Sequence, residues 1–423
     1  MSLRVLISGA GLGGLTLAHG LRAAGIEPLL FERGPRDVDL SGSFRIHIDG
    51  NGSRALHACL PAALWHRFEQ HSAASPRGIE FVTERLRHLA FIAEAQPPNA
   101  PFAHSHPISR SGLRQLLLEG LEDAIRFDQR VVGYEQPSAN EVVVRFADGS
   151  TASGDVLVGA DGSASPIRKQ LLPDARVVDT GVGGIAGKAY LNDAVREAIG
   201  RRWLSQMTMV LPARGMAFFM APFLRRPDLP EPEAQLDMPE HLFWVVIGRA
   251  EAFGGFDDSE RSHAQLQQQA LRMVSGWHPL LGDLVRRAAT ETLIGVPLYT
   301  AESVAAWQPG RVTLLGDAIH TMTPLQGLGG NTALVDAANL CQRLIEVERG
   351  RAELREAIGR YEASMRGYGF EAVQRSLQVS NSVASTNAFG RLAFRGVLSA
   401  VDRVPALRDA MFRRQEMEIA RAA

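Results

Sequence analysis

Lysine is almost absent from this chain. Of its 423 residues two are lysine, Lys169 and Lys188, and the remaining basic side chains are arginine. The arginines are scattered and build no basic tract, so the bias reads as a habit of the source genome. Formal net charge is −1, which leaves no global field to draw the protein to nucleic acid or anionic lipid. Cysteine is scarce too. Cys59 and Cys341 lie far apart in apolar helical contexts, "ALHACLP" and "AANLCQRL". They make neither a disulfide framework nor metal-ligand spacing. Buried thiols in a reducing compartment, and no metal, are expected. Long apolar runs are missing: no window approaches the ~18 residues of a membrane span. The opening "MSLRVLISGAG" breaks into glycine too soon for a signal segment. A cytoplasmic protein without stable membrane insertion is the expectation. No internal repeat or low-complexity tract occurs.

What is present is an ordinary globular composition, 45% apolar and 22% charged, in a chain long enough for two domains or for one with an insertion. "RVLIS" is a short apolar run suited to a buried parallel strand. A glycine-rich turn, a helix from about Leu12 to Ala24, and "PLLFER", a second strand ending in Glu32, follow it. This is a βαβ unit. Further on, "SRSGLRQLLLEGLEDA" reads as a helix capped by Ser109 or Ser111. "EVVVRFADGSTASGDVLVGADGS" reads as a hairpin turning at Asp148-Gly149, with "DVLVGADG" as its second, more buried strand. Residues 179–292 are rich in bulky apolar strand-like runs, interrupted by the Pro/acidic stretch "RRPDLPEPEAQLDMPE", and suggest an antiparallel sheet. The α/β signal returns with "RVTLLGD", and the chain is helical from about residue 350.

Three sites carry chemistry. In "GAGLGG", Gly9 permits a tight turn, Gly11 lets a pyrophosphate approach the backbone, and Gly14 allows close helix–strand packing. The helix start adds free N–H groups and partial positive charge. Glu32, 18 residues after Gly14, stands where a carboxylate holds adenosine ribose hydroxyls. A chain binding NAD alone would continue with βα units. This one leaves the pattern at once, which favours FAD. The second site is Asp161-Gly162, at the end of an apolar strand and before a helix start, "SASPIRKQL". The third is "GDAIHTMTPLQGLGGN": Gly316-Asp317 ends the strand "RVTLL", and Pro324, Gly327, Gly329, Gly330 and Asn331 lead into another helix. Carboxylates at strand ends face the crevice where open α/β sheets bind ligands.

In this order and spacing the three motifs resemble the class A flavoprotein monooxygenases typified by para-hydroxybenzoate hydroxylase, in their single-component form without a C-terminal thioredoxin-like domain. The resemblance implies an α/β fold: an FAD-binding Rossmann-like domain (residues 1–74, 105–178 and 293–385), an inserted antiparallel-sheet substrate domain (75–104 and 179–292), and C-terminal helices (386–423). It implies bound FAD, with NADPH or NADH and O2 as co-substrates, and hydroxylation of an aromatic or polycyclic substrate through a flavin C4a-hydroperoxide. Gly9, Gly11 and Gly14 would carry the pyrophosphate, and Glu32, with Arg33 beside it, the adenosine ribose. Arg110, opening R-x-x-L-x-x-x-L, would lie by the phosphates and ribityl, and Arg45 along the segment that passes the flavin. Asp161 would hold FAD, and Asp317, after Gly316, the ribityl chain. Gly327 to Asn331, following Pro324, would offer backbone N–H groups to the pyrimidine edge. A monomer or homodimer acting on a small molecule is implied.

No side chain stands out as a catalytic base. His47, His104, His106 and His320 are candidates by type, with His47 kept as a weak one. His320 is read as holding its loop, and His104 and His106 as loop-packing or solvated. Of Phe218, Phe219, Phe223, Phe243 and Trp244, alternation puts about half on the interdomain side. Other readings stay open: an epoxidising or Baeyer-Villiger monooxygenase, a reductase, a halogenase, or a non-enzymatic FAD-binding protein. The halogenases' W-x-W pattern is missing.

Overall fold

The computed structural model describes residues 2–36, 44–93, 102, 105–213, 215–227, 239–255 and 261–403. Arg4–Ser8 is the central strand of a five-stranded parallel sheet. Glu27–Phe31 pairs on one side of it and Val156–Gly159 on the other. Val312–Leu314 lies beyond Val156–Gly159, and the short strand Ile125–Arg126 beyond Glu27–Phe31. Helix Leu12–Ala23 makes the crossover and packs on the long helix Leu328–Glu348 and on Gly50–Cys59. Val5, Leu6, Ile7, Leu157, Val158 and Leu314 are fully buried. Both faces of the sheet are covered, so its strands are continuous apolar runs.

The hairpin differs from expectation. Its turn is at Asp148-Gly149, but the second strand is Thr151–Gly154, paired with Glu141–Phe146. The run after it leaves for the parallel sheet, at a pivot where Asp155 accepts from Arg4 N at 2.8 Å. Burial explains the split. Val156–Gly159 is buried throughout, whereas Thr151–Gly154 alternates between exposed and half-buried, and a hairpin strand facing water cannot cover both sides of the former.

The second large sheet has seven strands, antiparallel except where Met207–Val210 joins Gly78–Val82 in parallel. It takes in Val177–Tyr190 and Ile294–Ala301, which pair with each other, so it draws on residues either side of 179–292. Helices His263–Met273 and Pro279–Arg286 lie within that stretch and supply apolar residues to a core with one face of the sheet. The Pro/acidic stretch from 228 to 238 lies outside the described residues.

Helices Leu354–Val383 and Ala388–Arg403 follow. The buried Arg391 guanidinium donates to the carbonyls of Met216, Pro212, Ser385 and Val383, which pins the last described helix to the turn that opens strand Met216–Phe223. The expected C-terminal helices beyond residue 403 fall outside the described residues. Among the described residues no helix is long and apolar enough to cross a membrane, and no cluster of His, Cys, Asp and Glu suits a metal. The two cysteines, distant in sequence, meet in space. A Cβ added at Gly20 would lie 2.6 Å from Cys341 Sγ and 3.1 Å from Cys59 Sγ. Both are buried and free.

Glu362 sits beneath the parallel sheet, 3% exposed, and accepts from Thr313 Oγ1 at 2.9 Å. Burial pushes its carboxyl up to about 7, against the pull of Thr313 and Trp307. The folded state therefore holds a proton that the unfolded chain, near ~4.3, releases, and stability falls as pH rises between the two values. Glu362→Gln should add roughly 2–3 kcal/mol at pH ~8 and almost nothing at pH ~4. Denaturant melts at both pH values check this; equal effects at both would count against it.

Candidate functional site

The three motifs converge at the C-terminal ends of the parallel strands. After Arg4–Ser8 the chain turns at Gly9, whose N–H donates to Phe31 O at 2.8 Å. A Cβ on Gly14 would lie 2.3 Å from Gly9 O, so the helix packs directly on the turn. Gly11 is the N-cap of Leu12–Ala23. No side chain caps this helix and no acid sits in its first turn, which leaves N–H groups and the dipole to a ligand. A Cβ at Gly11 would meet nothing within 4 Å. Glu32 closes the loop from the side, accepting from Ala10 N at 2.9 Å and Gly34 N at 3.0 Å. Arg33 beside it is exposed. Arg114 Nε donates to Ala10 O at 3.1 Å.

Asp161 lies next to this turn. Its Oδ2 accepts from Ser8 Oγ at 3.0 Å, while Oδ1 is buried with no hydrogen-bond partner among the described residues. Burial pushes its carboxyl up, against Ser165, Ser8 and Arg168. Arg168 is itself buried and donates through Nη1 to Ala318 O at 3.0 Å, tying the second motif to the third. Asp317 touches solvent, yet dehydration is the main force raising its carboxyl, with the charges of His320 and Arg110 opposing. Arg110 is the exposed first residue of helix Arg110–Leu118, which Ser109 caps.

Beyond Asp317 a tight turn, Pro324–Gln326, leads to Gly327 and helix Leu328–Glu348. Gly327 has φ +67°, and again neither a side-chain cap nor an acid occupies the helix start. Space above Gly330 is open, and a Cβ at Gly329 would lie 3.9 Å from Asp317 Oδ1. The Asn331 side chain is already committed. It donates to His47 O at 2.8 Å and Gly327 O at 2.9 Å, and accepts from Asp49 N at 3.0 Å. It clamps strand Arg45–Ile48 to the loop, so what it can offer a ligand is backbone.

His47 lies beside Gly327. Burial, aided by Arg45 and His106, lowers its pKa to about 3, and so weak a base takes up little proton near neutrality. Arg45 Nη1 donates to Pro222 O at 3.1 Å in the second sheet. His106 packs against Phe68 and lies 3.1 Å from Ser53 Oγ; His104 is outside the described residues. His320 is sealed behind the loop, 2.6 Å from Asp336 with both side chains at 0% exposure. Burial would lower its pKa, but Asp336 and Asp317 outweigh that and raise it. Asp336 also accepts from Gly316 N at 2.7 Å and from Tyr368 OH at 2.6 Å. Asp336, Tyr368, Arg168 and Arg114 escaped sequence reasoning. A carboxylate on the apolar side of a helix, in "ALVDAANL", was the available signal for Asp336.

The aromatics divide by face. Phe218 and Trp244 are stacked 5.8 Å apart, fully buried in the core beneath the helices. Phe219 and Phe243 occupy the other face, 6.3 Å apart. There Phe243 meets Phe44 at 5.0 Å, and Phe219 and, from the third motif, Leu325 pack on one apolar cluster. Phe223 stacks on His241 at 5.1 Å. A surface hollow of about 320 Å³ beside Arg22, Glu27 and Asp123 is at the opposite ends of the parallel strands and contains none of these residues.

An open glycine turn, two uncapped helix starts, an orphaned buried carboxylate oxygen and the exposed Asp317 carboxylate beside them suit a bound dinucleotide. The model of a family described as "FAD binding domain" matches residues 2–237 and 267–376. The chain belongs to this family, the class A flavin monooxygenases of the para-hydroxybenzoate hydroxylase type. Among its relatives in the family, the aurachin C monooxygenase/isomerase of Stigmatella aurantiaca is 30% identical over 366 residues, 85% of this chain and 84% of that protein. The dual O-methyltransferase/FAD-dependent monooxygenase CTB3 of Cercospora beticola is 29% identical over 432 residues. That match takes in 92% of this chain and 46% of the relative, so the chain spans about half of the fungal enzyme's length. A Photorhabdus luminescens structure described as an FAD-containing monooxygenase superposes with a TM-score of 0.81 at 33% identity, over 90% of this chain and 99% of that one. Klebsiella pneumoniae HpxO, solved with FAD and uric acid, shares the fold at 22% identity and a TM-score of 0.78, over 94% of this chain and 93% of its own.

Proposed function

We propose that the protein is an FAD-dependent monooxygenase that uses NADH or NADPH and O2 to place one oxygen atom in an aromatic or polycyclic substrate. The observation that carries this reading is that the three motifs gather at the strand ends and an aromatic sheet face adjoins them through Phe44. That face carries Phe219 and Phe243, and Leu325 of the third motif packs on the same apolar cluster as Phe219. The names of the aurachin and CTB3 relatives support its monooxygenase part. FAD, when bound, supplies hydride acceptance and oxygen activation. The protein's part is binding, orientation and water exclusion.

In this reading the Gly9–Gly14 turn and its helix start hold the pyrophosphate, and Glu32 and Arg33 the adenosine side. Arg110 neutralises phosphate charge, and Asp161 and Asp317 accept hydrogen bonds from the cofactor's hydroxyls. The free N–H groups at Gly327–Asn331, at the positive end of a 21-residue helix, stabilise negative charge on the ring system's pyrimidine edge. We divide the chain as 1–74, 105–178 and 293–385 for FAD, and 75–104 and 179–292 for substrate. We move two of these borders, to 177 and 301, because Val177–Tyr190 and Ile294–Ala301 hydrogen-bond within the substrate sheet.

Reconstituted protein should show a flavin spectrum. NADH or NADPH should bleach it slowly, and faster with a phenolic substrate. Asp317→Ala should weaken FAD binding about 10–100-fold, the worth of one charged hydrogen bond. Failure to hold FAD, or a flavin that neither nucleotide reduces, would end the proposal. Unchanged affinity in Asp317→Ala would remove that residue's role.

A further inference from the structure

One buried cation has no part in the three motifs. Lys188 lies on Val177–Tyr190, 2% exposed. Its cross-strand partner is Phe243, on the face that meets the third motif. The ammonium stands 5.3 Å from the centre of the Phe44 ring, and Phe44 is the residue that joins Phe243 from the cofactor side. Two more basic groups gather here. Arg45, next to Phe44, reaches Pro222 of Met216–Phe223, two strands across the sheet from Lys188, and His241 feels the charges of both Lys188 and Arg45. In a chain with 2 lysines among 45 basic residues, this position holds the compact point charge and not the planar fork of arginine.

We propose that Lys188 is a specificity-determining residue that holds an anionic oxygen of the substrate, a phenolate, enolate or carboxylate, while the ring lies against Phe44, Phe219 and Phe243. This deepens the monooxygenase reading and rests on it. The physical basis is that a buried ammonium gains more from an anion than a solvated one does, because low dielectric strengthens the attraction. An aromatic wall beside it discriminates flat substrates from other anions. Among the described residues, the charged and titratable groups near it include Arg45 of the strand next to Phe44, His241 of His241–Arg249, Tyr190 of its own strand and Glu291 of the turn Thr290–Thr292. Burial lowers the lysine to about 8, with Glu291 opposing. The cation is therefore present below that value and lost above it.

The test uses FAD-loaded protein, calorimetry, and two probes of one shape, 2-naphthoate and 2-naphthamide. The carboxylate should bind about tenfold tighter near pH 7, a difference of one charged contact. Its affinity should fall between pH ~7 and ~9 as the ammonium deprotonates, while that of the amide stays level. Lys188→Met should erase the preference without changing flavin content, and Lys188→Arg should keep part of it. Equal affinity for the two probes in the wild type, binding of neither, or a preference that survives Lys188→Met overturns the assignment. Should the methionine variant not fold, the wild-type pH series decides. Flavin loading and reduction by NAD(P)H are read on the same samples. Their failure sinks the monooxygenase reading; their success without an anion preference sinks the Lys188 assignment alone.

Discussion

Gly9→Ala should produce protein that holds no FAD and melts well below the wild type. At φ +105° the position is hostile to any side chain, and an added Cβ would sit 2.4 Å from the backbone oxygen of Ala160. That neighbour is main chain at the end of a central strand and cannot swing away. Backbone strain of about 1–3 kcal/mol adds to an overpacking cost of similar size, so a loss of roughly 4 kcal/mol is expected. Gly11→Ala is the informative companion. Its Cβ would meet nothing within 4 Å and its φ of −82° is ordinary, so stability should change by less than ~1 kcal/mol. The methyl group would project into the open space over the helix start, and FAD affinity should still fall tenfold or more. Thermal melts and flavin titration of both variants check the pair. A Gly9→Ala protein that melts normally and turns yellow would refute the packing argument. A Gly11→Ala protein with full FAD affinity would move the pyrophosphate away from this helix.

Asp336→Asn should be the second severe lesion, though the residue lies behind the cofactor loop. Its carboxylate receives Gly316 N and His320 Nε2 on one oxygen and Tyr368 OH on the other. An amide turns one of those acceptors into a donor and takes from His320 the buried carboxylate that raises its pKa. Breaking a buried pair this way costs about 3–5 kcal/mol. Tyr368→Phe, which removes one donor, should cost about 1 kcal/mol. Because Gly316 and His320 bracket Asp317, the Asn variant should also bind FAD more weakly. The His320 pKa is raised in the fold, so the stability this raised pKa contributes is full below the unfolded value near ~6.5. It fades as pH climbs through the folded one. Wild type should show stability falling with pH above the ordinary histidine value in denaturant melts, and Asp336→Asn should lose that slope. Equal stability of variant and wild type would show that the pair contributes little.

The three motifs were legible as strand, turn and helix start because each is local. A short apolar run, a glycine turn and an uncapped helix start fall within about thirty residues, the range over which periodicity and turn chemistry speak. The hairpin misreading has the same origin. "TASG" and "DVLVG" are contiguous, and only sheet burial tells which of them the turn serves. Alternation along "MAFFMAPF" and "HLFWVVIGR" predicted that the aromatics divide by face. It could not say which face meets the cofactor loop, since that depends on where Phe44 and Leu325 arrive.

By itself, then, the sequence determined the strand–turn–helix–strand unit at the start, the glycine and carboxylate ends of the apolar runs, and the family they mark. Tertiary structure alone decided what stands behind them. Arg168 reaches Ala318 across 150 positions and Asn331 reaches His47 across 284. Cys59 and Cys341 close on Gly20, and Lys188 comes under Phe44. Such contacts form where sheet register and helix packing bring distant segments within a few ångströms. No local pattern along the chain encodes that distance.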